Sequence, residues 1–136
     1  MKYGTMLVAG LLVLLTACGG GGGAKPTAAD VEKAMHATWD KAATSTSPRT
    51  AVTINSIKLG ETDPANEQDV VDGIPPKAAV TAALVDFTVR NYYANETQAV
   101  RRVREAKVYR DKFGEWAVMT GQVRGQDATT SEPAQK

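Results

Sequence analysis

The fold of this chain is decided between residues 79 and 112, which read AVTAALVDFTVRNYYANETQAVRRVREAKVYRDK. Successive side chains of a β-strand point to opposite faces, and Val85, Phe87 and Val89 alternate here with polar neighbours. The pattern predicts one long strand over 79–93, a turn at 94–96 and a second strand over 97–112. A short turn between two strands pairs them as an antiparallel hairpin.

The same period of two continues on both sides of this hairpin. Downstream, residues 112–115 predict a turn and residues 116–124 predict the last strand. Upstream, residues 50–60 also predict a strand, but the apolar residues change face near Asn55 and Ser56, which predicts a β-bulge. A long polar connection, with three prolines, separates that strand from the hairpin.

The pattern changes to a helical period before the first strand. Thr27 and Asp30 have the spacing of a capping box, which predicts a helix that begins at Ala28 and runs to about Ala43. The apolar face of this helix consists of Val31, Met35, Trp39 and Ala42.

Together these elements predict an α+β domain in which one N-terminal helix packs on a curved, four-stranded antiparallel sheet, in the order α-β-β-β-β. This order, with the hairpin that runs from Val108 to Trp116, resembles the cystatin-like and NTF2-like folds. The resemblance implies a sheet that wraps around the helix. Such folds host many unrelated roles, so it implies no particular function.

The N-terminus has the features of an export signal. Lys2 supplies a positive charge, and the apolar run over 6–17 is shorter than the roughly 20 residues that a membrane-spanning helix needs. Residues 1–17 are therefore predicted to be a signal peptide.

The end of this run, Leu15-Thr16-Ala17-Cys18, resembles the lipobox of bacterial lipoproteins. The resemblance implies cleavage after Ala17, lipid on the Cys18 thiol, and a membrane as the partner of that lipid. Several acyl chains together give stable anchoring. Gly19 in place of Asp implies the outer membrane, facing the periplasm, if the host is Gram-negative.

These features divide the chain into four segments. Residues 1–17 are the signal peptide, and residues 18–26 are the lipidated cysteine with a Gly-rich tether. Residues 27–124 are expected to form one α+β domain. Residues 125–136, which are polar and lack an apolar period, are expected to be a disordered tail.

The composition argues against the commonest catalytic chemistries. The chain has one cysteine and one histidine, His36, so we expect no catalytic residue, no metal site and no cofactor. Two carboxylate alternatives stay open: Asp86 either lines a pocket or pairs with a cross-strand arginine, and the acidic loop over 63–69 could offer oxygen ligands to calcium. A formal net charge of +1 gives no indication of a nucleic-acid partner.

The predicted strand over 97–112 is rich in arginine. Arg102, Arg104 and Arg110 share one parity, and with Tyr92 nearby they could form a face that binds an acidic partner. The alternative is a solvated face whose arginines pair with acids on neighbouring strands.

Two functions follow as expectations. The first is a membrane-anchored envelope lipoprotein that acts as a non-enzymatic protein-interaction or structural module. The second is a pocket of the NTF2-like kind that binds a small ligand or is weakly catalytic.

Overall fold

The computed structural model describes residues 24–123 and 127–133. The predicted signal peptide, Cys18 and the tether up to Gly23 lie outside these residues. The described part is an α+β fold in which a helix packs on an antiparallel sheet. Its elements are α1 (Ala28–Trp39), β1 (Arg49–Pro64), α2 (Glu67–Val71), β2 (Ala79–Tyr92), β3 (Glu96–Arg110), β4 (Trp116–Val123) and β5 (Ala128–Pro133).

Helix α1 begins where the sequence predicts it and ends earlier. Thr27 is the N-cap, and its side chain and that of Asp30 form both hydrogen bonds of a capping box. The helix ends at Trp39 because Asp40 adopts an extended conformation, and its carboxylate accepts a hydrogen bond of 2.7 Å from the amide of Val52 in β1. The prediction that the helix reaches Ala43 is therefore wrong: a tertiary contact stops it.

The sheet is built from sequence neighbours. Its strand order is β1-β2-β3-β4, every pairing is antiparallel, and β5 also pairs with β3. The predicted bulge is confirmed, because the register of β1 against β2 shifts between Ile54 and Ser56. A second shift, between Leu59 and Thr62, carries β1 on to Pro64, so the predicted polar connection contains the end of a strand and the short helix α2.

The C-terminal segment departs most from prediction. The tail expected to be disordered over 125–136 contains β5, which pairs with residues 96–101 of β3. Strand β4 covers only residues 104–110 of that edge, so β5 satisfies backbone groups that β4 leaves open. The sheet thus has five strands rather than four, and the domain predicted to end at residue 124 continues to Pro133.

One face of the sheet packs against α1. Val31 and Met35 of the helix, and Val85, Phe87 and Val108 of β2 and β3, are completely buried in one cluster. Trp39 packs at the edge of this cluster, with its ring 5.2 Å from that of Phe87 at a tilted angle. The opposite sheet face does not contact α1, and it carries the groove that is the candidate site.

Candidate functional site

The structure separates the residues predicted to form one arginine-rich face. Arg102 and Arg104 pair with Phe87 and Val85 of β2, so alternation places them on the helix-facing side of the sheet. Arg104 is buried, with 8% of its surface exposed. The prediction of shared parity is right, but the shared face is the one that packs on α1, and Arg104 is buried there while Asp127 is paired with its guanidinium.

Asp127, just before β5, neutralises these two arginines. Both terminal nitrogens of Arg104 lie 2.9 Å from the Asp127 carboxylate, in a bidentate pair, and Nε of Arg102 lies 3.6 Å from it. The hydrogen bonds from Arg104 lower the pKa of Asp127 below its ordinary value. Arg102 and Arg104 therefore fit the alternative in which the arginines pair with an acid, although the acid comes from the segment predicted to be disordered.

Arg110 and Tyr92 lie elsewhere. The guanidinium of Arg110 is 4.2 Å from the ring centre of Trp116 and donates a hydrogen bond to the carbonyl of Gly114, so it braces the β3–β4 turn. Tyr92 pairs with Thr97 and points to the face opposite Arg102 and Arg104. The four predicted residues thus do not form one site.

The carboxylates weighed as catalytic candidates are engaged in ion pairs and caps. Asp86 accepts hydrogen bonds from Arg101 and Asn55, and the bond from Arg101 is the main reason why its pKa is lowered. Asp69 caps α2 and pairs with Lys107. His36 lies 2.8 Å from Asp40 on the exposed side of α1. Within residues 24–123 and 127–133, no group of three His, Cys, Asp or Glu is placed to hold a metal ion.

A groove lies on the sheet face that α1 leaves uncovered. It has a volume of about 770 Å³ and runs across β1, β2, β3 and β4. Two rows of cross-strand neighbours form its surface. In one row, Lys58 pairs with Leu84 and Leu84 with Glu105. In the other row, Ala82 pairs with Lys107 and Lys107 with Met119.

The groove combines an apolar floor with a charged rim. Leu84, which is 40% exposed, forms this floor together with Ala82 and Met119. The charged side chains that line it are Lys58, Asp72, Glu105 and Lys107. An apolar centre with a polar surround is the arrangement found in protein–protein interfaces.

The segment that follows helix α2 borders the groove, because Asp72 lines it directly. Asn66 caps the helix, and Asp69 reaches from it to Lys107, so an ion pair ties α2 to β3 beside the groove.

The sequence analysis missed this groove, although a signal for it was present. Val80, Ala82 and Leu84 are apolar at the positions of β2 where a strand with one solvated face should be polar. The first half of β2 is therefore apolar on both faces. That pattern predicts a second contact surface.

The comparisons with known proteins complete this description. No protein-family model, no curated protein and no solved structure matches this chain. In the part of the chain that the structure describes, neither helix has the length and apolar character needed to cross a membrane.

Proposed function

We propose that this protein is a non-enzymatic binding module of the cell envelope, held at a membrane by lipid on Cys18, whose groove receives an apolar segment of a partner protein. The observation that carries the proposal is the exposure of Leu84, beside Ala82 and Met119, in a groove rimmed by lysine, aspartate and glutamate. Water contact with this apolar floor is unfavourable, and a partner's apolar side chains would remove it.

The rim favours a protein segment as the occupant. It carries both signs of charge, with Lys58 and Lys107 against Asp72 and Glu105, so it suits a segment that has an apolar centre and polar flanks. A segment of that kind would bury Leu84 and leave the charges at the solvated edge of the interface.

The partner can be tested with one charge placed in the groove. In envelopes crosslinked before extraction, Leu84→Glu is expected to reduce recovery of the partner about tenfold or more, because it replaces the exposed apolar contact with a carboxylate that the partner's apolar side chains would have to desolvate. Phe113→Glu is the matched control: Phe113 is 77% exposed in the β3–β4 turn and does not line the groove. Equal recovery of the partner with wild type and Leu84→Glu would refute the groove as its site.

The membrane anchor is tested at the cysteine. We expect wild-type protein to fractionate with membranes and to carry the mass of an acylated Cys18 at its mature N-terminus. The variant Cys18→Ala should lose both properties. Membrane association that is unchanged in Cys18→Ala would contradict the anchor while leaving the groove untouched.

A small apolar ligand is the second candidate, because a volume of about 770 Å³ lies within the range of roughly 300–1,000 Å³ typical of ligand pockets. Asp86, which the sequence suggested for such a pocket, pairs with Arg101 and does not line the groove. Native mass spectrometry of the protein purified from its host tests this candidate, since a retained ligand would appear as added mass that Leu84→Glu removes.

We also propose that the sheet curves around α1. The helix has 12 residues and is about 18 Å long, which is enough to reach across four strands, whose combined width is about 14 Å. Helix α1 contacts both β1 and β4, the first and last strands of the four-strand path. This contact supports a sheet that wraps the helix as in the cystatin-like and NTF2-like folds.

A further inference from the structure

Strand β5 is attached to the sheet in an unusual way. All six of its residues, Ala-Thr-Thr-Ser-Glu-Pro, are exposed, and none is a large apolar residue. It pairs with residues 96–101 of β3 through the backbone alone and contributes nothing to the hydrophobic cluster. Backbone pairing of this kind is indifferent to side-chain identity, so another extended chain could make the same bonds.

Among the described residues 127–133, Asp127 is the one whose side chain forms an ion pair with the rest of the sheet. Its carboxylate is held by Arg104 in a bidentate pair, and it also lies 3.6 Å from Nε of Arg102. A bidentate arginine pair is selective for a carboxylate over a neutral group. The side chain of Asp127 therefore fixes where β5 begins along the edge of β3.

Contacts other than those with Asp127 and β5 also position the two arginines. They sit on β3, which pairs with β2 on its other edge, and the guanidinium carbon of Arg102 lies 5.3 Å from the ring centre of Trp39. Nε of Arg102 is buried and has no hydrogen-bond partner. Arg102 thus has an N–H donor that Asp127 does not satisfy.

We propose that the edge of β3 over 96–101, together with Arg102 and Arg104, is a docking site for an extended acidic segment of a partner protein, and that the chain's own Asp127 and β5 cover it. The partner adds its strand to β3 and places a carboxylate on the arginine pair. Asp127 then competes with the partner's carboxylate for the arginine pair. The site is separate from the groove, since the arginines lie on the opposite face of the sheet.

The chemistry of the site favours this occupant. Two fixed positive charges require a negative partner, and the adjacent edge offers backbone donors and acceptors only to a chain in extended conformation. A free anion would satisfy the arginines and leave the edge unpaired.

The test uses the full chain and a labelled, acetylated peptide, Asp-Ala-Thr-Thr-Ser-Glu-Pro, which copies residues 127–133. The variant Asp127→Asn loses the carboxylate that pairs with Arg104, so the peptide is expected to bind it about tenfold more tightly than it binds wild type. The same peptide with asparagine in the first position is the matched control and should bind the variant at least about tenfold more weakly than the aspartate peptide.

Hydrogen exchange of the amides in 96–101 provides a second readout that does not depend on the label. The amides of this stretch that donate to β5 should exchange faster in Asp127→Asn than in wild type, whereas the alternate amides that donate to β2 stay protected, and the aspartate peptide should restore the lost protection. Adding Arg102→Gln to the variant should weaken the peptide without unfolding the chain, because the side chain of Arg102 is 30% exposed.

Three results would overturn the proposal. The first is equal binding of the aspartate and asparagine peptides to Asp127→Asn. The second is unchanged protection of residues 96–101 in that variant, which would make β5 a permanent strand. The third is that inorganic phosphate displaces the peptide while the amides that donate to β5 stay protected. That result would identify a simple anion site. None of these outcomes bears on the groove.

Discussion

Replacing Phe87 with alanine is expected to lower the free energy of unfolding by about 3–5 kcal/mol, the range measured for large aromatic residues in packed cores. Phe87 is completely buried in β2, a strand with neighbours on both sides. Its ring contacts the indole of Trp39, which anchors the end of α1. The substitution therefore opens a cavity at the point where helix and sheet meet, and small domains have only about 5–15 kcal/mol to lose.

Urea unfolding followed by circular dichroism measures this change, with the slope checked for two-state behaviour. Leu84→Ala is the matched control, because Leu84 lies on the same strand but is 40% exposed on the other face. It should cost at most about 1 kcal/mol. If both variants lost the same free energy, the face packed against α1 would not be the core.

The second large effect is expected at low pH, as a decrease in the free energy of unfolding. Arg101 lowers the pKa of Asp86, Lys107 lowers the pKa of Asp69, and Arg104 lowers the pKa of Asp127, each chiefly by hydrogen bonding to the carboxylate. A carboxyl group whose pKa is lower in the folded state stabilises the fold above its ordinary pKa, here 3.8. That contribution is lost as the pH falls through the folded-state pKa.

We therefore expect the urea midpoint to be nearly constant from about pH 7 to about pH 5 and to fall steeply below about pH 4. The fall should be smaller in Asp86→Asn, which has one such carboxyl fewer. Added salt separates this effect from the general repulsion of a positively charged chain, because salt screens distant charges more than close pairs. A midpoint that is the same near pH 3 as near pH 6 would contradict the prediction.

Local patterns predicted the secondary structure well. The capping box at Thr27, the antiparallel hairpin of β2 and β3, and the bulge near Asn55 depend on residues close together in the chain, and all three are confirmed. The end of α1 was predicted less well. It depends on a hydrogen bond between Asp40 and Val52, which are 12 residues apart.

The candidate sites were harder to predict. Periodicity placed Arg102 and Arg104 on one face, but it does not say which face of a sheet is turned inward when both carry apolar residues. The apolar residues Ala82 and Leu84, at alternate positions of β2, are the local signal of the groove. Strand β5 had no such signal, because edge pairing through the backbone needs no apolar period.

By itself, then, the sequence determined the α+β class, the helix start, the order of β1 to β4 and the register shift in β1, because each follows from side-chain alternation and capping within a short segment. Only the tertiary structure decided that α1 covers the face of Arg104 and that Asp127 returns to the arginine pair. Those outcomes depend on which distant surfaces pack best and which charges then need a partner. Packing and charge neutralisation between distant segments leave no periodic trace in the chain.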